Sequence, residues 1–241
     1  MPAVETPLTA SPHELINAHL SPVEALHGEF ERQAALDFEG RMGLDYQATI
    51  AELLALAELR PDMNVLDVGA GTSILVRHLD RLLGEKGQVT AMDTTPEMVE
   101  KARLATITAG PVRHVRWQVA PAETLPFQAG EFDVVTCAMA FPRLRAAEFA
   151  REAFRVLKPG GRLVMATELA PRQGLSGFQK TMRRGFYQFL RRDALEAAAS
   201  FMTADETAGV LTAAGFRQNM FRQMQRNGRH QTIFSLVRAL K

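Results

Sequence analysis

The chain has one cysteine, no surplus of either charge and no long apolar run, and each absence removes a class of protein. Cys137 alone cannot build an internal disulfide framework or a cysteine-rich metal site. Lys and Arg number 28 against 27 Asp and Glu, a formal charge of +1. The broad basic excess that lets a protein coat a nucleic acid backbone is therefore missing, and no nucleic acid partner is expected. No apolar stretch approaches the roughly eighteen residues of a membrane span. The opening MPAVETPLTASP lacks the basic-then-apolar order of a signal peptide, so the expected location is the cytoplasm. What remains is ordinary globular material: 241 residues, 46% of them hydrophobic, enough to bury roughly 70–75% of the surface that the unfolded chain exposes.

Residues 1–10 read as a frayed tail. Ser11-Pro12-His13-Glu14 and Ser21-Pro22-Val23-Glu24 each set a capping hydroxyl before Pro, with Glu three residues after the cap, and predict two helix starts. A helix over Tyr46–Leu59 carries Ile50, Leu53, Leu54 and Ala57 on one stripe before Arg60-Pro61 stops it. From residue 63 short apolar runs alternate with helices, the pattern of βαβ units and a mostly parallel sheet. The predicted strands are Met63–Val68, Gln88–Met92, Val112–Val119, Phe132–Met139 and Arg162–Thr167. The helices between them are Ser73–Leu83, Thr95–Thr106 and Ala146–Leu157, the last broken at Lys158-Pro159-Gly160-Gly161. Phe216–Met224 and Thr232–Val237, joined through Asn227-Gly228, predict a hairpin whose last strand runs antiparallel. The expected class is α/β, a Rossmann-like seven-stranded mixed sheet with an N-terminal helical cap and a helical lid. The expected organisation is tail and cap over 1–45, a binding domain over 46–241, and the lid as an insertion over 169–210, longer than a structural crossover needs.

Val65-Leu66-Asp67-Val68-Gly69-Ala70-Gly71-Thr72-Ser73 runs from a strand through a Gly-x-Gly turn into a helix. Asp93 follows Gly71 by 22 residues, at the end of the second strand, where a carboxylate can accept both hydroxyls of a ribose. A dinucleotide site needs a third small residue where this chain has Ile74, and Asp67 would set negative charge beside a pyrophosphate. A nucleoside without phosphates and with a cationic ammonium end suits the same arrangement. S-adenosylmethionine has those parts.

On these residues the segment 63–168 resembles the class I S-adenosylmethionine-dependent methyltransferases with a methyltransferase type 11 domain. Within them it is most similar to the group of ubiquinone/menaquinone biosynthesis C-methyltransferases. Val65–Thr72 matches the first motif of the family and Val89–Met98 the second. Ala122-Glu123-Thr124-Leu125-Pro126-Phe127 resembles its adenine-edge loop, and Arg155–Gly161 the turn before its fifth strand. The resemblance implies S-adenosylmethionine as cofactor, held by Asp67, Gly69, Ala70, Gly71, Thr72, Asp93, Thr94, Met98, Ala122, Glu123 and Ala138. One departure stands out: where the family usually places an Asp that reaches the adenine amino group, this chain has Pro121.

After the fourth strand the chain reads Cys137-Ala138-Met139-Ala140-Phe141-Pro142, unlike the Asn/Asp-Pro-Pro-aromatic motif of amino-methyltransferases acting on bases. The lid carries Leu175, Phe178, Met182 and Phe189 at helical spacings, with Tyr187 nearby and six basic residues between Arg172 and Arg192 without an acid. Its apolar face would cover a hydrophobic acceptor, with Phe141, Phe178 and Tyr187 as acceptor contacts. Its basic face would meet an anionic substituent, a lipid surface or an acidic partner, unless it is a surface helix with solvated charges. Tyr46 and Glu168 are the candidate catalytic groups, Cys137 reads as a small core residue, and no metal is expected. The expected activity is methyl transfer to the carbon or phenolic oxygen of a small, apolar acceptor, by a monomer or a homodimer. Methylation of RNA or protein is the alternative that Arg217, Arg222, Arg226, Arg229 and Arg238 keep open, and a non-catalytic cofactor-binding module is another.

Overall fold

The computed structural model describes residues 29–71, 74–83, 85–108, 115–173, 175–176, 179, 181–182, 199–227 and 232–241. Two helices, α1 (Glu29–Met42) and α2 (Tyr46–Ala57), precede the sheet. The Asp45 carboxylate caps α2 by accepting from the Ala48 amide at 2.6 Å, and the helix stops at Glu58, in a left-handed conformation. The alternation that follows is the predicted one: β1 (Asn64–Val68), α3 (Ile74–Leu82), β2 (Gln88–Asp93), α4 (Pro96–Thr108), β3 (Val115–Val119), β4 (Phe132–Ala138), α5 (Ala146–Val156) and β5 (Leu157–Leu169). Then come α6 (Ala204–Ala214), β6 (Arg217–Gln223) and β7 (Ile233–Leu240).

The strands form one seven-stranded sheet in the order β3-β2-β1-β4-β5-β7-β6. β1 to β5 pair in parallel, whereas β7 is antiparallel to both β5 and β6. The sheet is covered on both sides, and side chains alternate between two cores. Val65, Val134, Val164, Phe234 and Leu236 pack with α2 and α3, while Leu66, Val135, Leu163, Met165 and Val237 pack with α5 and α6.

One boundary moves. The segment Lys158-Pro159-Gly160-Gly161, expected to separate helix from strand, belongs to β5, because Leu157 already pairs with Phe132 before a register shift. Gly161 fits there because a Cβ would meet the Asp133 and Lys158 carbonyls at 2.9 Å. The expected hairpin turn at Gly228 and the helix starts at Ser11 and Ser21 lie outside the described residues. No helix among the described residues is long and apolar enough to cross a membrane.

Candidate functional site

Strand order reverses between β1 and β4, whose connections leave toward opposite edges of the sheet; a crevice opens at the carboxyl ends of strands at such a point. Asp67 stands one residue before the end of β1, in register with Thr136 of β4. That register puts the two side chains together: the Thr136 hydroxyl donates to Asp67 Oδ1 at 2.7 Å, and Asp67 is only 2% exposed. Burial pushes the Asp67 carboxyl up to about 7, with the Thr136 hydrogen bond opposing and the nearby Asp93 charge reinforcing the shift. Among the described residues no cation pairs with Asp67.

The turn after β1 is fixed by backbone. The amides of Gly69 and Ala70 both donate to the Met92 carbonyl at 2.9 Å, and the Gly71 amide donates to Asp93 Oδ2 at 3.1 Å. Asp93 Oδ1 accepts from the Thr94 amide at 2.7 Å. The Thr94 hydroxyl adds a longer contact to Oδ1 at 3.4 Å, so the Asp93 carboxylate is clamped between the two loops and Oδ2 keeps a lone pair for a second donor. Gly69 has φ +76°, and a Cβ on it would lie 2.5 Å from Ala140 Cβ, so the turns after β1 and β4 touch where no side chain fits. Ala140 is carried there by Met139, itself at φ 67°, whose amide donates to the Ala166 carbonyl at 2.7 Å. Among the described residues, the nearest non-adjacent atom to a Cβ on Gly71 is the Gly69 carbonyl at 3.6 Å, an ordinary contact.

On the flank formed by β2 and β3, Thr94 is exposed, Met98 half-buried and Ala122 buried. Glu123 accepts from the Arg145 amide at 3.0 Å, which ties its loop to the start of α5. The same loop is held by Glu152, accepting from the Leu125 amide at 2.7 Å, and by Arg155, donating to the carbonyls of Leu125 and Phe127 at 2.9 and 2.7 Å. Pro121 is exposed, and its carbonyl accepts from the Thr124 amide.

On the flank of β4 and β5, Ala138 is half-buried at the end of β4, and Phe141 is buried with its ring 6.2 Å from Phe149. Glu168 accepts from the Thr232 hydroxyl and pairs with Arg226 at 3.5 Å. The Tyr46 ring stands edge-on to Phe38 at 4.9 Å. Cys137 is fully buried, and burial pushes its thiol up to about 12, as suits a core residue. Thr72, Phe178 and Tyr187 lie outside the described residues. An open hollow of about 730 Å³ beside Arg116 and Leu125–Glu131 lies along the outer edge of the sheet and contains none of these groups.

Three residues in these contacts carry no motif. Thr136 could have been noticed as the lone hydroxyl in the apolar strand Val134-Val135-Thr136-Cys137. Ala140 and Arg226 act across the fold, and only contacts reveal them.

Residues 66–165 match the model of the methyltransferase domain family. The ubiquinone/menaquinone biosynthesis C-methyltransferase UbiE of Shewanella pealeana is 30% identical over 182 residues, 73% of this chain and 70% of that protein. The chain belongs to this methyltransferase family. UbiE of Shewanella sediminis is 32% identical over 164 residues, covering 68% of this chain and 62% of that protein. Of other curated relatives the chain spans about half the length, 49% for UbiE of Azotobacter vinelandii. Among solved structures the [4+2]-cyclase SpnF superposes with a TM-score of 0.67 at 18% identity, over 84% of this chain and 83% of that one. That likeness shows the fold alone.

S-adenosylmethionine is the cofactor of this methyltransferase family, and the residues present fit it. The ends of β1 and β2 offer an open acceptor position at Asp93 Oδ2, a glycine backbone turn at Gly69 and Gly71, and a buried acid at Asp67 without a cation among the described residues.

Proposed function

We propose that this methyltransferase transfers the methyl group of S-adenosylmethionine to a small apolar acceptor, at a ring carbon or a phenolic oxygen. The observation that carries the reading is the clamped Asp93, whose carboxylate is fixed at the end of β2 by the Gly71 and Thr94 amides, an arrangement that suits a ribose diol. The names of the UbiE relatives support an acceptor of quinol type.

In this reading Asp93 accepts from the two ribose hydroxyls, Gly69, Ala70 and Gly71 let the cofactor approach the backbone, and Asp67 faces the ammonium. Thr94, Met98 and Ala122 enclose the adenine, and the turn of Glu123, braced by α5, supplies backbone polar groups in place of the side chain that Pro121 lacks. Ala138 and Phe141 wall the passage to the acceptor, with Thr72, Phe178 and Tyr187 as further contacts. When bound, the cofactor supplies an electrophilic methyl group on a positively charged sulfur. The chain contributes position: holding the acceptor in line and excluding water removes much of the barrier. Tyr46 is the candidate to orient or deprotonate the acceptor hydroxyl.

Methylation of RNA loses support from the pairing of its basic residues. Arg222 lies 3.3 Å from Glu52, Arg238 lies 2.9 Å from Glu58, and Arg226 is buried against Glu168.

Calorimetry with S-adenosylhomocysteine tests the cofactor half of the proposal. Asp93→Ala should weaken binding by about ten- to a hundredfold through loss of two charge-assisted hydrogen bonds; unchanged affinity would remove Asp93 from the site. Incubation with labelled cofactor and a panel of quinols and phenols tests the acceptor half.

A further inference from the structure

We propose that Arg226, held by Glu168, is a positioning residue that fixes the corner between α1 and α2 over the acceptor side of the crevice. The idea that this corner serves the acceptor rests on the proposed methyl transfer. The mechanical part rests on geometry alone.

Arg226 follows β6, and apart from Thr232, six residues on, its partners are far away in sequence. Its Nε donates to the Met42 carbonyl at 2.5 Å and its Nη2 to the Arg41 carbonyl at 3.4 Å, the last carbonyls of α1. Its Nη1 donates to the Thr232 carbonyl at 3.1 Å and hydroxyl at 3.3 Å, just before β7. Glu168, near the carboxyl end of β5, accepts from Nη1 at 3.5 Å and from the Thr232 hydroxyl. The side chains of Arg226 and Glu168 are only 7% and 14% exposed, so this is an interior hub. A guanidinium spreads its donors in a fixed planar fork, and here the fork joins one helix end, one strand end and one carboxylate.

The neighbouring contacts point the same way. The Asn227 amide donates to the Gly43 carbonyl at 2.8 Å. Glu168 is in register with Phe234 of β7, whose ring meets Phe38 of α1 edge-on at 5.8 Å, and Phe38 in turn meets Tyr46 at 4.9 Å. The corner from Arg41 to Tyr46 is therefore fastened by Arg226 on one side and by an aromatic chain on the other. Tyr46, the candidate acceptor-side hydroxyl, is the first residue after that corner to enter α2. Glu168, although it stands near the expected acceptor, has its charge committed to Arg226, so its role runs through the arginine and not through proton transfer.

The experiment separates fastening from stability. Arg226→Met removes the donors and leaves Glu168 buried without its cation. The double variant Arg226→Met with Glu168→Met removes both charges, so it should refold to near wild-type melting temperature while the Met42 and Arg41 carbonyls stay unfastened. Arg226→Lys keeps the charge and loses the fork. Hydrogen exchange of the amides from Gly43 to Tyr46 should accelerate by about tenfold or more in all three variants, including the double, since each lost charge-assisted bond raises local opening by at least that factor. In the same proteins, affinity for S-adenosylhomocysteine should stay within about twofold of wild type, and turnover with a quinol that the wild type methylates should fall about tenfold in kcat. Wild-type exchange at Gly43–Tyr46 in the double variant would overturn the positioning role. If exchange accelerates but kcat is unchanged, the corner does not serve the acceptor and that part falls. Wild-type protein inactive on the whole panel would count against the methyl-transfer reading instead, while leaving the exchange result intact.

Discussion

The two halves of the sheet treat buried charge in opposite ways. In the half built on β1 and β2, Asp67 is fully enclosed with a neutral hydroxyl as its partner, and burial holds its carboxyl at about 7. In the half built on β5 and β7, enclosed cations are matched: Arg226 with the buried Glu168, and Arg162 and Arg238 with Glu58, whose carboxylate reaches the surface. A protein gains nothing in stability from an enclosed acid without a countercharge. The matched half reads as scaffold, while an enclosed acid without a countercharge is the kind of perturbed group that functional sites collect, in keeping with the proposed contact to an ammonium.

The sharpest way to break that contrast is pH. The Asp67 carboxyl rises from 3.8 to about 7 on folding, so between these values the unfolded chain has lost the proton while the folded chain keeps it. The favourable contribution is fully present below about 4, declines as pH rises through 7, and is constant above. The decline amounts to roughly 4 kcal/mol at most. Asp67→Asn, which can still accept from Thr136, should remove this slope and be more stable than wild type at pH 8 without cofactor, while binding S-adenosylhomocysteine more weakly. Urea denaturation from pH 4 to 8 measures it; identical slopes in the two proteins would show that Asp67 does not titrate in the fold and would end the contrast.

A second test lies in the backbone of the half built on β1 and β2. Gly69→Ala adds a Cβ at a positive φ and 2.5 Å from Ala140 Cβ. The conformational and steric costs sum to about 3 kcal/mol. Adding Ala140→Gly should recover the steric part and leave the remainder, a coupling that a double-mutant cycle reads directly. Additive effects would mean that the two turns do not touch.

How much of this was legible beforehand follows the same division. The half built on β1 and β2 is written in local order: a strand, a Gly-x-Gly turn, a helix, and an acid at the next strand end. β1, β2 and the pair Asp67 and Asp93 came from the sequence because each signal spans a few residues, and the same holds for the antiparallel last strand. The half built on β5 and β7 depends on pairs such as Arg226 with Met42, 184 residues apart, or Arg238 with Glu58, 180 apart. No periodicity encodes these. Glu168 reads as a candidate acid and Glu123 as a cofactor-side residue, and neither reading foresees its partner, Arg226 for the one and the Arg145 amide for the other. The start of β5 was missed for a related reason, since Pro159 and two glycines signal a break locally while pairing of Leu157 with Phe132 overrides it.

The smallest expected effect belongs to the matched half. Lys241 places its ammonium at the end of α5, donating to the carbonyls of Phe154 and Leu157 at 2.6 Å and of Arg155 at 3.3 Å, and lies 4.7 Å from the centre of the Phe154 ring. Its three donors thus meet carbonyls at a helix end, where a cation also suits the helix dipole. Lys241→Met preserves the apolar stem and removes the charge, so it should cost about 1–2 kcal/mol, read as a lower urea midpoint at unchanged slope. Because α5 also carries Glu152 and Arg155, which brace the loop at Leu125 and Phe127, the loss has a route to the other half. A weaker affinity for S-adenosylhomocysteine, by more than about twofold, would show that the scaffold transmits its looseness to the adenine loop; equal affinity would show that the two halves are mechanically separate.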